Sequence, residues 1–218
     1  MQISGNMFEL VLNFDSLTIG LHVAGEDAHE FSIKGESAVS MKNKLATVLS
    51  LHSINIELDE NRIETGHYDI DQEYASRLGQ VYGQLAQCLA RFRSGLPVET
   101  SPIQLWPHEF DLAMLVLTGR KIPGQDAENE EVSDEQLNFG FVPGDEGIRE
   151  PYFFITLYPN VERLGEVSLL DEAYFHNEGW NGIDMLYDSF RKNPQAESML
   201  MSLWQAAWKV ASEEIRND

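Results

Sequence analysis

Leu105-Trp106-Pro107-His108-Glu109-Phe110-Asp111-Leu112-Ala113-Met114-Leu115-Val116-Leu117 is the stretch that decides how the rest of the chain is read. From Phe110 onward both alternating sets are apolar: Phe110, Leu112, Met114 and Val116 on one side, Ala113, Leu115 and Leu117 on the other. A strand with two apolar faces is covered on both, so the segment is predicted as a central strand. Pro107 lacks an N–H and belongs at the first position of that strand or before it. Thr118-Gly119 is predicted to close it. Asp111 stands out, because an unpaired carboxylate among apolar side chains is costly. It calls for a cation such as Arg120 or Arg149, for backbone N–H donors, or for a ligand.

Downstream, Leu137–Val142 and Tyr152–Tyr158 are apolar runs joined through Pro143-Gly144-Asp145-Glu146-Gly147, the pattern of an antiparallel hairpin with a long tip. The acidic stretch from Gly124 to Gln136 is expected to be a mobile loop. Pro159 is expected to end the sheet. Ala173–Gly182 is rich in aromatics, glycine and asparagine, Ile183–Lys192 is predicted as a short helix, and Gln195–Ile215 as a longer one.

Upstream, Met7–Phe14 and Leu17–Val23 alternate with a period of two around an Asp15-Ser16 turn, Gly25-Glu26-Asp27 makes the next turn, and Phe31-Ser32-Ile33 is a third short strand. Ser37–His52 changes to helical spacing, with Ser37 or Ser40 as its cap. Ile54–Leu58 alternates again. Asp71–Ser94 carries a long apolar stripe, acids at its start, Arg91 and Arg93 at its end and Gly95 as a stop. The order predicts an α+β fold, a mostly antiparallel sheet of about six strands packed with three to four helices, as one domain over residues 1–218.

The chain has 218 residues, 36 acidic and 15 basic side chains and a formal charge of -21. Such a surface repels phosphate, so neither nucleic acid nor an anionic membrane is an expected partner; a small molecule or a basic protein is. Cys88 is the one cysteine, set in a helical apolar pattern, which suits an inert buried thiol. No basic leader and no stretch of ~20 continuous apolar residues occurs, and a cytoplasmic location is expected.

Trp106-Pro107-His108-Glu109-Phe110-Asp111-Leu112-Ala113 with Thr118-Gly119-Arg120, and Gly140-Phe141-Val142-Pro143-Gly144 with Glu150-Pro151-Tyr152-Phe153 and Tyr158-Pro159, carry a resemblance. Together they resemble the bacterial domain-of-unknown-function family 5996, over most of the chain. The resemblance implies a shared fold and assigns no activity, cofactor or catalytic residue. It also implies relatives that are longer at the N-terminus. His108 and Glu109 fall on variable positions of the pattern, whereas Phe110-Asp111-Leu112 matches.

The candidate ligand-binding residues are Trp106, His108, Asp111, Tyr152 and Trp180. Aromatics beside turn residues are expected to be partly exposed, although most aromatics pack in cores. Asp145 and Glu146, with Asp111, offer hard oxygens to calcium or magnesium and would support a metal-assisted hydrolase. The competing reading is a solvated loop between glycines. His108 with His176 could hold zinc only if distant segments meet. No phosphate-binding glycine loop or nucleophile elbow is present, so catalysis and cofactor remain unassigned. Three readings follow: a binding module for a small molecule or protein, a metal-assisted hydrolase, and an acidic protein with a basic partner.

Overall fold

The computed structural model describes residues 2–3, 6–24, 26–54, 63, 66 and 69–213. Beyond Ile54, the strand predicted over 54–58 lies outside them. The chain divides into two compact units, Met1–Val81 and Tyr82–Asp218.

In the first unit, β1 (Gln2–Ile3), β2 (Asn6–Asn13), β3 (Thr18–Val23) and β4 (Glu26–Ser32) form an antiparallel sheet in chain order. Helix α1 (Ala38–Leu51) starts at Ser37, whose hydroxyl accepts from the Ser40 N–H at 3.1 Å and satisfies one orphan donor. Its Leu49 packs with Leu21 and Ile54 in a core with Leu45 and Val48 at its margin. Helix α2 (Gln72–Ser94) begins where the Asp71 carboxylate accepts from the Tyr74 N–H. Its Ala75 packs with Leu17 and Ile33, so the first half of α2 belongs to this unit.

The second unit is built on β5 (Gln104–Trp106), β6 (Asp111–Lys121), β7 (Asp134–Val142), β8 (Tyr152–Tyr158), β9 (Ala173–His176) and β10 (Gly182–Leu186). They form one antiparallel sheet in the order β5-β6-β7-β8-β10-β9. Between them lie α3 (Glu130–Ser133), a 3-10 helix at Val161–Glu166, and α4 (Tyr187–Phe190), with α5 (Ala196–Ser212) after β10. The α+β class and an antiparallel sheet of about six strands are as the sequence reading predicts.

Several details differ from the sequence reading; in the first unit β4 takes in Glu26 and Asp27, which the sequence predicts as a turn. The key strand starts at Asp111: Leu105 and Trp106 form their own short strand, and 107–110 is the turn between them, with Phe110 at φ 57°. Pro107 therefore breaks the chain into a hairpin. The strand also runs past Thr118-Gly119 to Lys121, through an irregularity after Leu117. The expected acidic loop is shorter, because Asp134 opens β7 and is buried beside Lys121, 2.7 Å away, and Ser133. Pro159 ends β8 but not the sheet: 173–176 and 182–186 are two further strands, and only Tyr187–Phe190 of the predicted 183–192 helix is helical. Both runs are short and hydrogen-bond to their neighbours over four residues, too few for periodicity to separate strand from helix.

Alternate residues divide the sheet into two faces. Leu112, Met114, Val116, Leu137, Phe139, Phe141, Phe153 and Ile155 make the buried one. Phe139 meets Phe92 of α2 edge-on at 4.9 Å and Trp204 of α5 at 6.3 Å, and Phe141 meets Tyr82 and Tyr187. Phe153 meets Phe190 of α4 at 5.4 Å. These helical contacts all fall on that face. The opposite face, which carries Asp111, Ala113, Leu115 and Leu117, is therefore not the fully covered surface that the run of apolar residues predicts.

Candidate functional site

Register fixes what that second face presents. Trp106 stands opposite Asp111, Val142 opposite Tyr152 and Tyr152 opposite Leu186, forming one row across the strands. The next row holds Ala113, Gly140, Phe154 and Asp184, and the one after it Leu115, Asn138 and Thr156. Two regions result, one filled by the chain's own aromatics and one left open.

The filled region depends on two glycines. A Cβ at Gly140 would lie 2.4 Å from the Phe154 ring, and one at Gly182 would lie 2.7 Å from the Trp180 indole. Their absence lets both rings lie on the sheet. Ala113, Val142, Tyr152 and Phe154 form a buried cluster there, with Ile148, Trp180 and Leu186 against it. Trp180 stacks on His176 at 4.3 Å and 20° and on Tyr152 at 6.1 Å and 19°. His176 faces the buried Asp184 through Nδ1 at 3.0 Å and the Glu178 carbonyl through Nε2 at 2.7 Å. A carbonyl oxygen only accepts, so Nε2 carries a proton.

Tyr152 donates to Asp145 Oδ2 at 2.6 Å, and Asp145 Oδ1 accepts from the N–H groups of Gly147 and Ile148 at 2.7 and 2.6 Å. Partial burial works against the Asp145 charge. The bonds from Tyr152, Ile148 and Gly147, with the nearby His176, still hold the carboxyl below the usual range. Burial, followed by the bond to and charge of Asp145, pushes the Tyr152 hydroxyl far above its ordinary value, so it is a permanent donor.

Asp111 lies at the rim of this region, half-buried. Burial raises its carboxyl above the ordinary value, against the lowering effect of its own backbone N–H; Glu109 raises it further and His108 opposes. Neither expected arginine pairs with it. Arg120 binds Glu135 and the Ala211 carbonyl, and Arg149 makes no ion pair among the described residues. A carboxyl raised in the folded state is protonated in both states below about pH 4, and there it costs nothing. As pH rises through the unfolded and then the folded value, the folded state retains a proton that the unfolded state has released, and stability falls. Asp111→Asn is thus expected to raise the urea midpoint at pH 7 and leave it unchanged near pH 3. A lower midpoint at pH 7 would mean that the charge has a favourable partner.

The open region is a trough of about 690 Å³ between the chain at 99–102 and the sheet. Trp106, 39% exposed, stands at its edge; Leu115, Leu117, Gln136 and Asn138 line it. The Ser101 hydroxyl is already used, accepting from the Leu115 N–H and donating to the Pro102 carbonyl, both at 2.9 Å. Asn138 Oδ1 is buried and has no hydrogen-bond partner. Buried polar atoms in native proteins are paired, so an orphan invites an explanation.

Of the sequence candidates, Trp106, Asp111 and Tyr152 share this face and Trp180 lies over it. His108 is apart, in the exposed 107–110 turn with its side chain 90% exposed and Glu109 3.3 Å away. Asp145 is committed to its own loop and Glu146 is exposed. The described residues hold no group of three or more His, Cys, Asp or Glu side chains placed for a metal. Sequence reasoning missed Asn138, Leu115 as a lining residue, and the His176–Asp184 pair. The alternation Gln136-Leu137-Asn138-Phe139-Gly140 contained the first of these: it puts two amides on the face opposite Leu137 and Phe139. A smaller hollow of about 320 Å³ near Cys88, Arg91 and Phe190 is less open to a ligand's charge, because Arg91 pairs with Glu197 at 2.5 Å and Arg191 with Asp188.

The fold and face define an α+β protein whose larger sheet is backed by helices on one side and carries an aromatic layer and a trough on the other. The chain belongs to a family of unknown function, DUF5996, which matches it over residues 1–218. No curated protein and no solved structure matches it significantly. No helix among the described residues is long and apolar enough to cross a membrane.

Proposed function

We propose that this protein is a binding module for a small molecule that docks in the trough on the second face of the six-stranded sheet. The observation that carries the reading is a trough of about 690 Å³ whose lining joins Leu115, Leu117 and the exposed Trp106 to the polar side chains of Gln136 and Asn138. Ligand sites are concave, span roughly 300–1,000 Å³, and combine an apolar lining with a few placed polar groups. Leu115, Leu117 and the exposed Trp106 supply that lining; Thr100, Gln136 and Asn138 supply polar groups. Tyr152 and the 143–148 loop serve as a stiff wall beside it, because the Tyr152 hydroxyl and the Gly147 and Ile148 N–H groups all bond to Asp145.

A thermal-shift panel of metabolites, run on the wild type and on Leu115→Glu, tests the reading. Leu115 is half-buried on the open face, so the glutamate fills the trough without entering the helix-backed core. A ligand at about 100 times its Kd stabilises by about 2.7 kcal/mol. At least one panel member is expected to stabilise the wild type and not the variant. No stabilisation across the panel, or equal stabilisation of both proteins, would overturn the reading.

A further inference from the structure

We propose that the trough takes a neutral saccharide, a short chain of pyranose rings rather than an anion or a simple amine; this rests on the binding reading above. Strand pairing lays out the floor. Leu115 and Leu117 form an apolar stripe along β6. On one side of the stripe stand two amides, Asn138 opposite Leu115 and Gln136 opposite Leu117. On the other side runs the segment at 99–102, where the Leu117 N–H donates to the Glu99 carbonyl and brings Glu99 beside Leu117. Adjacent strands lie about 4.8 Å apart, so the two polar margins are roughly 10 Å apart across an apolar middle. A pyranose has the same cross-section, with C–H groups on its faces and hydroxyls around its rim. Trp106, at the edge of the trough, adds an exposed ring on which such a C–H face can lie.

The polar groups decide between ligand classes. Asn138 Oδ1 is buried, so what that side chain offers the trough is its N–H donors. The exposed Glu99 offers a carboxylate that accepts, and the Gln136 amide carries both kinds of group. A hydroxyl donates and accepts from one atom, so a polyol meets both margins. A carboxylate or phosphate could use only the donors. It would find no basic side chain among the described lining residues, Glu99 across the floor, and a chain of charge -21. An amine could use only the acceptors and would leave the Asn138 N–H groups unmatched. Length follows from a second aromatic. The exposed Tyr158 pairs with Gln136 and so shares this face, level with Leu117, whereas Trp106 is level with Asp111. Asp111 to Leu117 is roughly 20 Å of strand, room for several linked rings and too long for one.

A chemical-shift titration tests this with cellotriose, maltotriose and chitotriose as neutral probes and trigalacturonate as an anionic probe of equal length. At least one neutral trisaccharide is expected to shift the Trp106 indole N–H and the Leu115 and Asn138 backbone amides. It is expected to bind at least about tenfold more tightly than trigalacturonate at low salt. Trp106→Ala is expected to weaken that trisaccharide at least about fivefold. Glu99→Ala, at an exposed position, is expected to weaken it about three- to tenfold and decides the matter should the first variant unfold. Three results would overturn the saccharide assignment: no shift in the trough with any neutral trisaccharide, equal or tighter binding of trigalacturonate, or unaltered binding by the deciding variant. Each leaves the trough as a binding site, which the metabolite panel on the wild type and Leu115→Glu decides separately.

Discussion

Glu135→Ala is expected to lower the stability of the second unit by about 3–5 kcal/mol, the usual cost of breaking a buried ion pair from one side. The Glu135 side chain is 5% exposed. Its carboxylate binds Arg120 and lies 3.6 Å from Arg163. The same guanidinium groups donate to the last turns of α5, Arg120 to the Ala211 carbonyl at 3.0 Å and Arg163 to the Val210 carbonyl at 2.7 Å. Those carbonyls are among the acceptors that a helix C-terminus leaves without intrahelical partners. One carboxylate thus anchors β6, β7, the 3-10 helix and α5 at a single point. Removing it strands two partly buried cations, and the helix end loses its fixed donors. Urea unfolding measures the effect. A loss under about 1 kcal/mol would place the network in the class of solvent-screened surface pairs.

Gly182→Ala is expected to cost about 3 kcal/mol, at the upper end for overpacking, and to displace Trp180. The added Cβ would sit 2.4 Å from the Ile155 carbonyl oxygen and 2.7 Å from the Trp180 ring. Ile155 is the residue paired with Ile183, so its oxygen belongs to the sheet and cannot turn away as a side chain can. The strands must part or the indole must leave its stack on His176 and Tyr152. Near-ultraviolet circular dichroism reads the indole and urea unfolding reads the strands. Gly140→Ala is a useful comparison, because its nearest neighbour is the Phe154 ring, which has a side chain's freedom to move. A Gly182→Ala protein with wild-type stability and spectrum would show that the close approach of Trp180 to the sheet is not maintained in solution.

The elements with long, clean periodicity were legible in the sequence. The stripe of α2, the alternation of β2 and β3 and the apolar runs of β6, β7 and β8 appear where their residues predict them. The short strands β5, β9 and β10 were not, because three to five residues cannot establish a period. Asp134 and Glu135 looked like loop acids, since composition cannot show that Lys121, Arg120 and Arg163 would meet them. Of the candidate face, part is legible in the sequence. Asp111, Trp106 and Tyr152 drew notice as polar or aromatic residues in apolar strands, and strand register places them on one face. Asn138 did not, because an asparagine in an alternating strand reads as an ordinary solvent-facing position. Only tertiary packing shows that its oxygen is buried without a partner.

Leucine-methyl spectra, taken with the first molecule that stabilises the protein, address the location of binding most directly. Leu115 and Leu117 face the trough, whereas Leu200 and Leu203 lie on α5 in the helix-backed core. The account predicts that the Leu115 and Leu117 methyl signals move in proportion to occupancy while those of Leu200 and Leu203 stay in place. Shifts confined to the α5 leucines, with Leu115 and Leu117 unmoved, would contradict it.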